Sequence, residues 1–272
     1  MSADVSVGAD AATSLATREL TLAYGEHPVV EGLTLELPAA RVTAIVGPNG
    51  CGKSTVVRGL GRLLRPKSGQ VLLGGRDIRT MSSRALARRV GLLPQQPVAP
   101  DGLTVADLVT RGRFPHLGVF TRPGAADLAI VTEALDATGT ADLAERRIDE
   151  LSGGQRQRVW IAMVLAQQTD VLLLDEPTTF LDVAHQIEVL DLLSRLNAER
   201  GTTVVMVLHE LNLAARYADH MVVMAGGRAV DQGPPGSVLT EDAVHTAFGL
   251  RAMVVPDPVT GSPMVVPRKS TS

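Results

Sequence analysis

The segment Gly47-Pro48-Asn49-Gly50-Cys51-Gly52-Lys53-Ser54 constrains the fold of this chain more than any other stretch. It fits the pattern G-x-x-x-x-G-K-[ST]. In such a loop glycines let backbone N–H groups wrap phosphates, the lysine (Lys53) reaches the β/γ-phosphates and the hydroxyl (Ser54) binds Mg²⁺. Thr55 follows as a further nucleotide-binding residue. The loop needs a strand before it and a helix after it, and both are present. An apolar run at 42–46 leads in, and Val56, Val57, Leu60, Leu63 and Leu64 recur at helical spacing until Pro66. A glycine turn without function is the ordinary alternative, and this context weighs against it. The loop alone points to nothing narrower than a nucleoside triphosphatase.

Further short apolar runs at 70–73, 90–93, 171–174 and 203–208 are separated by helical stretches. Continuous apolar strands are buried on both faces, which predicts an α/β fold with a mainly parallel core sheet. Segments 20–24 and 29–37 read as β-rich edge strands around a loop at Gly25-Glu26-His27-Pro28. Between Gln95 and Trp160 only helical patterns occur, at 104–110, 125–137 and 152–167, so a helical subdomain is expected as an insertion at about 96–160. Val183, Ile187, Leu190, Leu193 and Leu196 mark one amphipathic helix. Segments 221–224 and 228–231 around Gly226-Gly227 form an expected hairpin, and the Pro/Gly-rich stretch 255–267 a second.

Val171-Leu172-Leu173-Leu174-Asp175-Glu176-Pro177 is an apolar strand ending in two carboxylates. Phosphoryl transfer needs charge neutralisation and an oriented water, so Asp175 suits a metal and Glu176 a general base. A solvated acid pair at a strand end is the competing reading. Leu151-Ser152-Gly153-Gly154-Gln155 stands at a predicted helix start. Its bland explanation is an N-cap with flexible backbone, and its functional one is anion binding by the free N–H groups there.

Together these segments resemble the ATP-binding-cassette ATPases, the motor subunits of ABC transporters, over residues 17–267. The resemblance implies a P-loop nucleotide-binding domain with an antiparallel β edge, ATP and Mg²⁺ as ligands, and a homodimer. In the family Ser152 and Gly154, with Gly153 and Gln155 in the same motif, grip the γ-phosphate of ATP held by the opposite subunit. Gln95, after Leu93-Pro94, resembles the glutamine that contacts metal and water, with Gln96 a neighbouring alternative. His209 resembles the histidine that bonds the γ-phosphate. Asp182, in Thr178-Thr179-Phe180-Leu181-Asp182, matches the aspartate that organises the subunit interface, an ordinary N-cap being the rival. Tyr24 falls where an aromatic lies under adenine, an edge-strand core tyrosine being its rival.

The segment from Gly102-Leu103-Thr104-Val105 through Arg111-Gly112-Arg113-Phe114-Pro115-His116 looks like import ATPases for ferric siderophores, haem and cobalamin. Thr178-Thr179-Phe180-Leu181-Asp182, His185-Gln186 and Val255-Pro256-Asp257-Pro258-Val259-Thr260-Gly261 lean towards ferric siderophores. Implied partners are integral-membrane permease subunits docking near 95–116 and, indirectly, an extracytoplasmic substrate-binding protein. The implied place is the cytoplasmic face of the cell membrane, peripherally bound. Soluble ABC ATPases of DNA repair or translation are the less favoured class, because neither a long coiled-coil insertion nor a second cassette is present.

At 272 residues and 45% hydrophobic content the chain can bury a full core, and a net charge of -3 speaks against nucleic acid as partner. Arginines and lysines crowd at Arg58, Arg62, Arg65, Lys67, Arg76, Arg79, Arg84, Arg88 and Arg89, either as solvated helix faces or as a face for lipid headgroups or a partner loop. No run approaches the roughly 18 apolar residues of a spanning helix. Residues 1–16 read as a flexible tail with no signal-peptide pattern, and 268–272 as a short C-terminal tail. Cys51 is the one cysteine, which excludes an internal disulfide. It reads as a tolerated loop residue whose thiol, beside Lys53 and helix N–H groups, is expected to have a lowered pKa and incidental reactivity.

Overall fold

The computed structural model describes residues 13–118 and 121–269. The chain opens with an antiparallel sheet. Strand β1 (Leu15–Tyr24) pairs with β2 (His27–Leu37) on one side and β4 (Ser68–Leu73) on the other, and β5 (Arg76–Asp77) extends β4. Tyr24 faces His27 across the turn, so the expected four-residue loop shrinks to Gly25-Glu26. Pro28, which has no N–H to donate, is tolerated because β2 is an edge strand. The tail is also shorter than expected: Leu15 and Ala16 already pair with Leu37 and Glu36, and Leu15 is fully buried. Residues 1–12 and 270–272 of the two expected tails lie outside the described residues.

The second sheet runs in the order β10-β9-β3-β8-β7-β6. Strands β3 (Val42–Val46), β6 (Val90–Leu93), β7 (Val171–Asp175), β8 (Thr203–Val207) and β9 (His220–Ala225) pair in parallel, and β10 (Arg228–Gly233) closes the edge as an antiparallel hairpin with β9. Its central strands are buried throughout, as continuous apolar runs require. Their side chains alternate between two cores. Ile45, Leu173, Val205, Val207 and Val222 join Val56, Val57 and Leu60 of helix α1 (Lys53–Leu60) under the antiparallel sheet. Ala44, Val46, Leu172, Leu174, Met206 and Val223 pack on the opposite face with the helices that follow β6. Helix α1 is thus clamped between two sheets, and the loop preceding it is held from both sides.

Helix α2 (Ser83–Ala87) precedes β6. Between β6 and β7 come α3 (Val105–Arg111), α4 (Ala125–Ala137) and α5 (Gly153–Ala166), which pack on one another with no strand between them among the described residues. The expected boundary of this insertion at residue 160 cuts α5 in its middle. The helix continues to Ala166 because Trp160, Ile161, Val164 and Ala166 are buried in the shared core. Buried Arg113 ties the block internally, donating to Asp127 Oδ1 at 3.0 Å and to Ala166 O at 2.8 Å. Helix α6 (Val183–Arg200) follows β7, α7 (Leu211–Tyr217) follows β8, and α8 (Pro235–Val238) and α9 (Glu241–Phe248) follow β10. The chain ends in a hairpin of β11 (Ala252–Pro256) and β12 (Pro263–Pro267).

Most of the crowded basic residues, Arg65, Lys67, Arg76, Arg79, Arg84 and Arg88, are exposed, as solvated faces would be, and several also tie neighbouring segments. Arg84 and Arg88 each donate through Nε to Pro115 O, at 2.9 and 2.8 Å, and Arg62 donates to Ile78 O and Met81 O. Arg79 pairs with Asp77, and Arg89 with Asp170. Guanidinium groups that satisfy bends and carboxylates serve as ties between segments.

Candidate functional site

Strand β3 ends at Val46, and the chain turns through the glycine-rich loop into α1. At Gly47 a Cβ would lie 2.2 Å from Met224 O, so only glycine lets the loop pass this close to β9. Gly52 caps α1 in the left-handed region, at φ 102°, and offers no side-chain hydrogen bond. The first N–H groups of α1 therefore lack a side-chain acceptor, and the positive end of the helix faces the cleft. Lys53 Nζ folds back onto Gly47 O (2.8 Å) and Pro48 O (3.0 Å). Its charge is held over the loop by carbonyl dipoles.

The acid pair stands at the end of β7. Ser54 Oγ donates to Asp175 Oδ1 at 2.8 Å, while Asp175 Oδ2 is buried with no hydrogen-bond partner. Burial is the main cause that pushes the Asp175 carboxyl above its usual range, and the neighbouring Glu176 adds to it, against the bond from Ser54. An orphaned carboxylate oxygen beside a serine hydroxyl is a donor set suited to a hard divalent cation. Glu176 has φ 57°, outside the regions a glutamate prefers, and is held there by its bonds. His209 Nε2 lies 2.7 Å from Oε1, Thr179 Oγ1 donates to Oε2 at 3.1 Å, and the Gln95 side chain bonds to the same carboxylate. Burial pushes this carboxyl up, but the bonds from Gln95, His209 and Thr179 outweigh it and hold Glu176 below the usual range. A base so arranged stays ionised while only 8% exposed.

Asn49, Gly50, Gly52, Lys53, Ser54, Thr55, Gln95, Glu176 and His209 line one open cavity of about 520 Å³, with Val29 as its apolar wall. The side chain of Gln95 enters it, whereas Gln96 is exposed outside it. Tyr24 is not part of its wall. It is 45% exposed at the end of β1, where its hydroxyl accepts from Arg58 Nη1 of α1 at 2.9 Å, so it is not an edge-strand core residue.

Two expected elements lie elsewhere. Ser152 caps α5 and forms a reciprocal capping box with Gln155, its Oγ accepting from Gln155 N and its N–H donating to Gln155 Oε1. Ser152 and Gly153 are exposed, and Gly154 packs against Leu181. Asp182 caps α6. The backbone N–H of His185, then its ring at 2.8 Å, lowers the Asp182 carboxyl. Neither segment lines the phosphate-loop cavity.

Cys51 departs from expectation. Its thiol is 5% exposed within the core beneath the loop, and burial pushes it above the ordinary cysteine value, with the Lys53 charge pulling the other way and losing. The loop contributes its backbone to the cavity while this side chain points inward. Sequence reasoning also passed over Thr179, which bonds Glu176, and Gln157, whose buried amide donates to Pro177 O at 3.0 Å and ties α5 to the acid-pair loop. Gln157 lies two residues beyond Gln155 on α5, where helical phase turns it towards the core. That phase was the available signal.

A family profile described as ABC transporter matches residues 30–179. Over 254 residues the chain is 52% identical to the ferric enterobactin transport ATP-binding protein FepC of Escherichia coli (strain K12), covering 93% of this chain and 94% of that one. It is 48% identical over 251 residues to the iron(3+)-hydroxamate import ATP-binding protein FhuC of Bacillus subtilis (strain 168), covering 92% and 93%. A solved structure described as a metal-chelate type ABC transporter, inward-facing, superposes with a TM-score of 0.80 at 30% identity, over 95% of this chain and 98% of that one. The dimeric structure of MJ0796, a bacterial ABC transporter cassette, gives 0.73 at 27% identity, over 81% and 98%.

Proposed function

The chain belongs to the ABC transporter family, and we propose that it is the ATP-hydrolysing motor subunit of an importer that carries ferric siderophores across the cytoplasmic membrane. The observation that carries the motor assignment is the split of the site. The loop, Asp175, Glu176, Gln95 and His209 converge on one cleft, while the helix start at Ser152 stands apart and exposed. Two copies arranged head to tail would bring the Ser152–Gly154 backbone of one to the phosphate cleft of the other, giving two composite sites. The cargo assignment rests on the siderophore names of relatives that align over nearly the whole chain.

Within each site the residues divide the work by their chemistry. Lys53 and the N–H groups at the start of α1 bind and orient the β- and γ-phosphates. Glu176, ionised and fixed by three donors, takes a proton from the attacking water at its free lone pairs. His209, at the same carboxylate, is placed to donate towards the γ-phosphate. Ser54 and Asp175, with Gln95 nearby, would hold Mg²⁺, which neutralises the terminal phosphate oxygens when bound. Permease subunits would dock on the insertion near Gln95 and His116, placing the chain peripherally at the inner face of the membrane. No helix among the described residues is long and apolar enough to cross it.

The test is uptake of radioactive iron, supplied as a ferric siderophore, in cells whose only copy of the gene is wild type or Glu176→Gln at matched membrane levels. Loss of iron uptake with labelled cobalamin uptake intact is the expected result. Unchanged iron uptake overturns the cargo assignment and points to haem or cobalamin instead.

A further inference from the structure

His209 depends for its position on a helix that is poorly equipped to hold itself. On its N-terminal side the chain is secured by the sheet, with Leu208 N donating to Ile45 O at 3.2 Å. On the other side α7 has only seven residues, and Glu210 at its start provides no side-chain cap. By contrast α3, α5, α6 and α9 all carry one. A helix of two turns without a cap has little stability of its own, so contacts from outside must fix it.

Ala214 and Ala215 bury one face of α7 in the main core, and its polar ties come chiefly from the end of the chain. Asn212 Oδ1 accepts from Val265 N at 2.7 Å and its Nδ2 donates to Val265 O at 3.3 Å, engaging β12 as a neighbouring strand would. Arg216 Nη2 lies 2.6 Å from Asp257 Oδ2, whose side chain is 5% exposed. Asp257 is fixed in turn: Oδ1 accepts from Val259 N and Thr260 N, its own N–H donates to Ser262 O, and its carbonyl accepts from Gly261 N. The turn between β11 and β12 is therefore a rigid mount that presents one carboxylate oxygen to α7. A third tie, Tyr217 Oη to Asp191 Oδ1 at 2.7 Å, runs to α6. The hairpin lies outside residues 30–179, the stretch shared across the family profile.

We infer that the C-terminal hairpin positions His209 for hydrolysis, with Asn212 and Arg216 as the positioning residues that transmit its hold through α7. This rests on the reading of His209 and Glu176 as the hydrolytic pair. The hairpin keeps Nε2 of His209 at its 2.7 Å contact with Glu176, and loosening α7 lets the imidazole drift from the place where phosphate charge develops. Asp257→Asn keeps the acceptor for Val259 and Thr260 while removing the charge facing Arg216, and Asn212→Leu keeps the size of the side chain while losing both bonds.

The experiment measures kcat and KM for ATP on the full chain carrying Asn212→Leu, Asp257→Asn or Arg216→Lys, each alone and combined with His209→Ala. Circular dichroism confirms that each variant is folded. Asn212→Leu and Asp257→Asn are expected to lower kcat about tenfold, as a misplaced group does, with KM changed less than about twofold. Arg216→Lys, which keeps the charge, should retain most of the activity. In the His209→Ala background, followed by single turnover, the same substitutions should cause no further loss. If His209→Ala abolishes hydrolysis while folded Asn212→Leu and Asp257→Asn hydrolyse normally, the inference falls alone. An equal loss with and without His209 also overturns it, since the effect then passes by another route. Full activity in His209→Ala itself overturns the reading of the site, and the inference with it.

Discussion

The buried thiol in the phosphate loop offers a sharp test, because sequence context and structure point in opposite directions. Adjacent Lys53 and helix N–H groups should activate Cys51, yet its burial raises the thiol above its ordinary value. A free cysteine has about 3% thiolate at pH 7, and Cys51 must have less. Its exposure of 5% limits encounter with a reagent roughly a further 20-fold, if encounter scales with exposed surface. Labelling of the native protein by a small maleimide at pH 7 should therefore be slower than labelling of the same thiol in guanidinium by about 20-fold or more. Intact-mass spectrometry over time reads both rates directly. ATP should add little protection, since the side chain points away from the cavity into the core. A native rate within about threefold of the denatured rate, or strong protection by ATP, would refute the placement of the thiol and restore the activated reading.

Thr179→Val removes one of the donors that keep Glu176 ionised, so this carboxyl should bind its proton more tightly and the acid limb of the kcat profile should move to higher pH. An unmoved acid limb would show that Thr179 does not reach the base in solution. Gln157→Leu leaves the buried Pro177 carbonyl without its donor, at a cost of about 1–3 kcal/mol, and Tm should drop by about 2–4 °C per kcal/mol for a chain of this length. Calorimetry showing no change would mean that another donor replaces it. Asp257 has its folded-state pKa depressed to about 2, chiefly by the bond from Arg216, so its stabilisation is present above the ordinary carboxylate range and lost as pH falls towards 2. Urea midpoints of wild type and Asp257→Asn should differ at pH 6 and converge near pH 2. A constant difference across that range would contradict the ion pair.

The parallel core was legible because its strands leave no alternation to misread. Val42–Val46 and Val90–Leu93 appear where the apolar runs end, and β7 and β8 differ from expectation by one residue. Strand β1 was half hidden. Arg18 and Glu19 interrupt its apolar pattern at a register shift between Thr17 and Leu20, where Glu19 takes a positive φ. A period-two reading fails at such an irregularity, so the apolar pattern marks this strand only from Leu20.

The phosphate loop and acid pair were legible because their chemistry needs particular residues at particular spacing. The thiol of Cys51 was misread because local charge is visible in sequence while burial depends on which way the loop faces. The choice between Gln95 and Gln96 needed the cavity, since neighbouring glutamines differ only in direction. The ties from Asn212 and Arg216 join residues more than 40 positions apart, with no periodic signal to connect them.

The most direct measurement is the molar mass of Glu176→Gln by light scattering, with and without ATP and Mg²⁺. A site divided between two copies requires the mass to double when nucleotide binds and hydrolysis is blocked, and Ser152→Arg in the same chain should prevent the doubling. A mass that stays that of one chain, with nucleotide shown to be bound, would contradict the composite site.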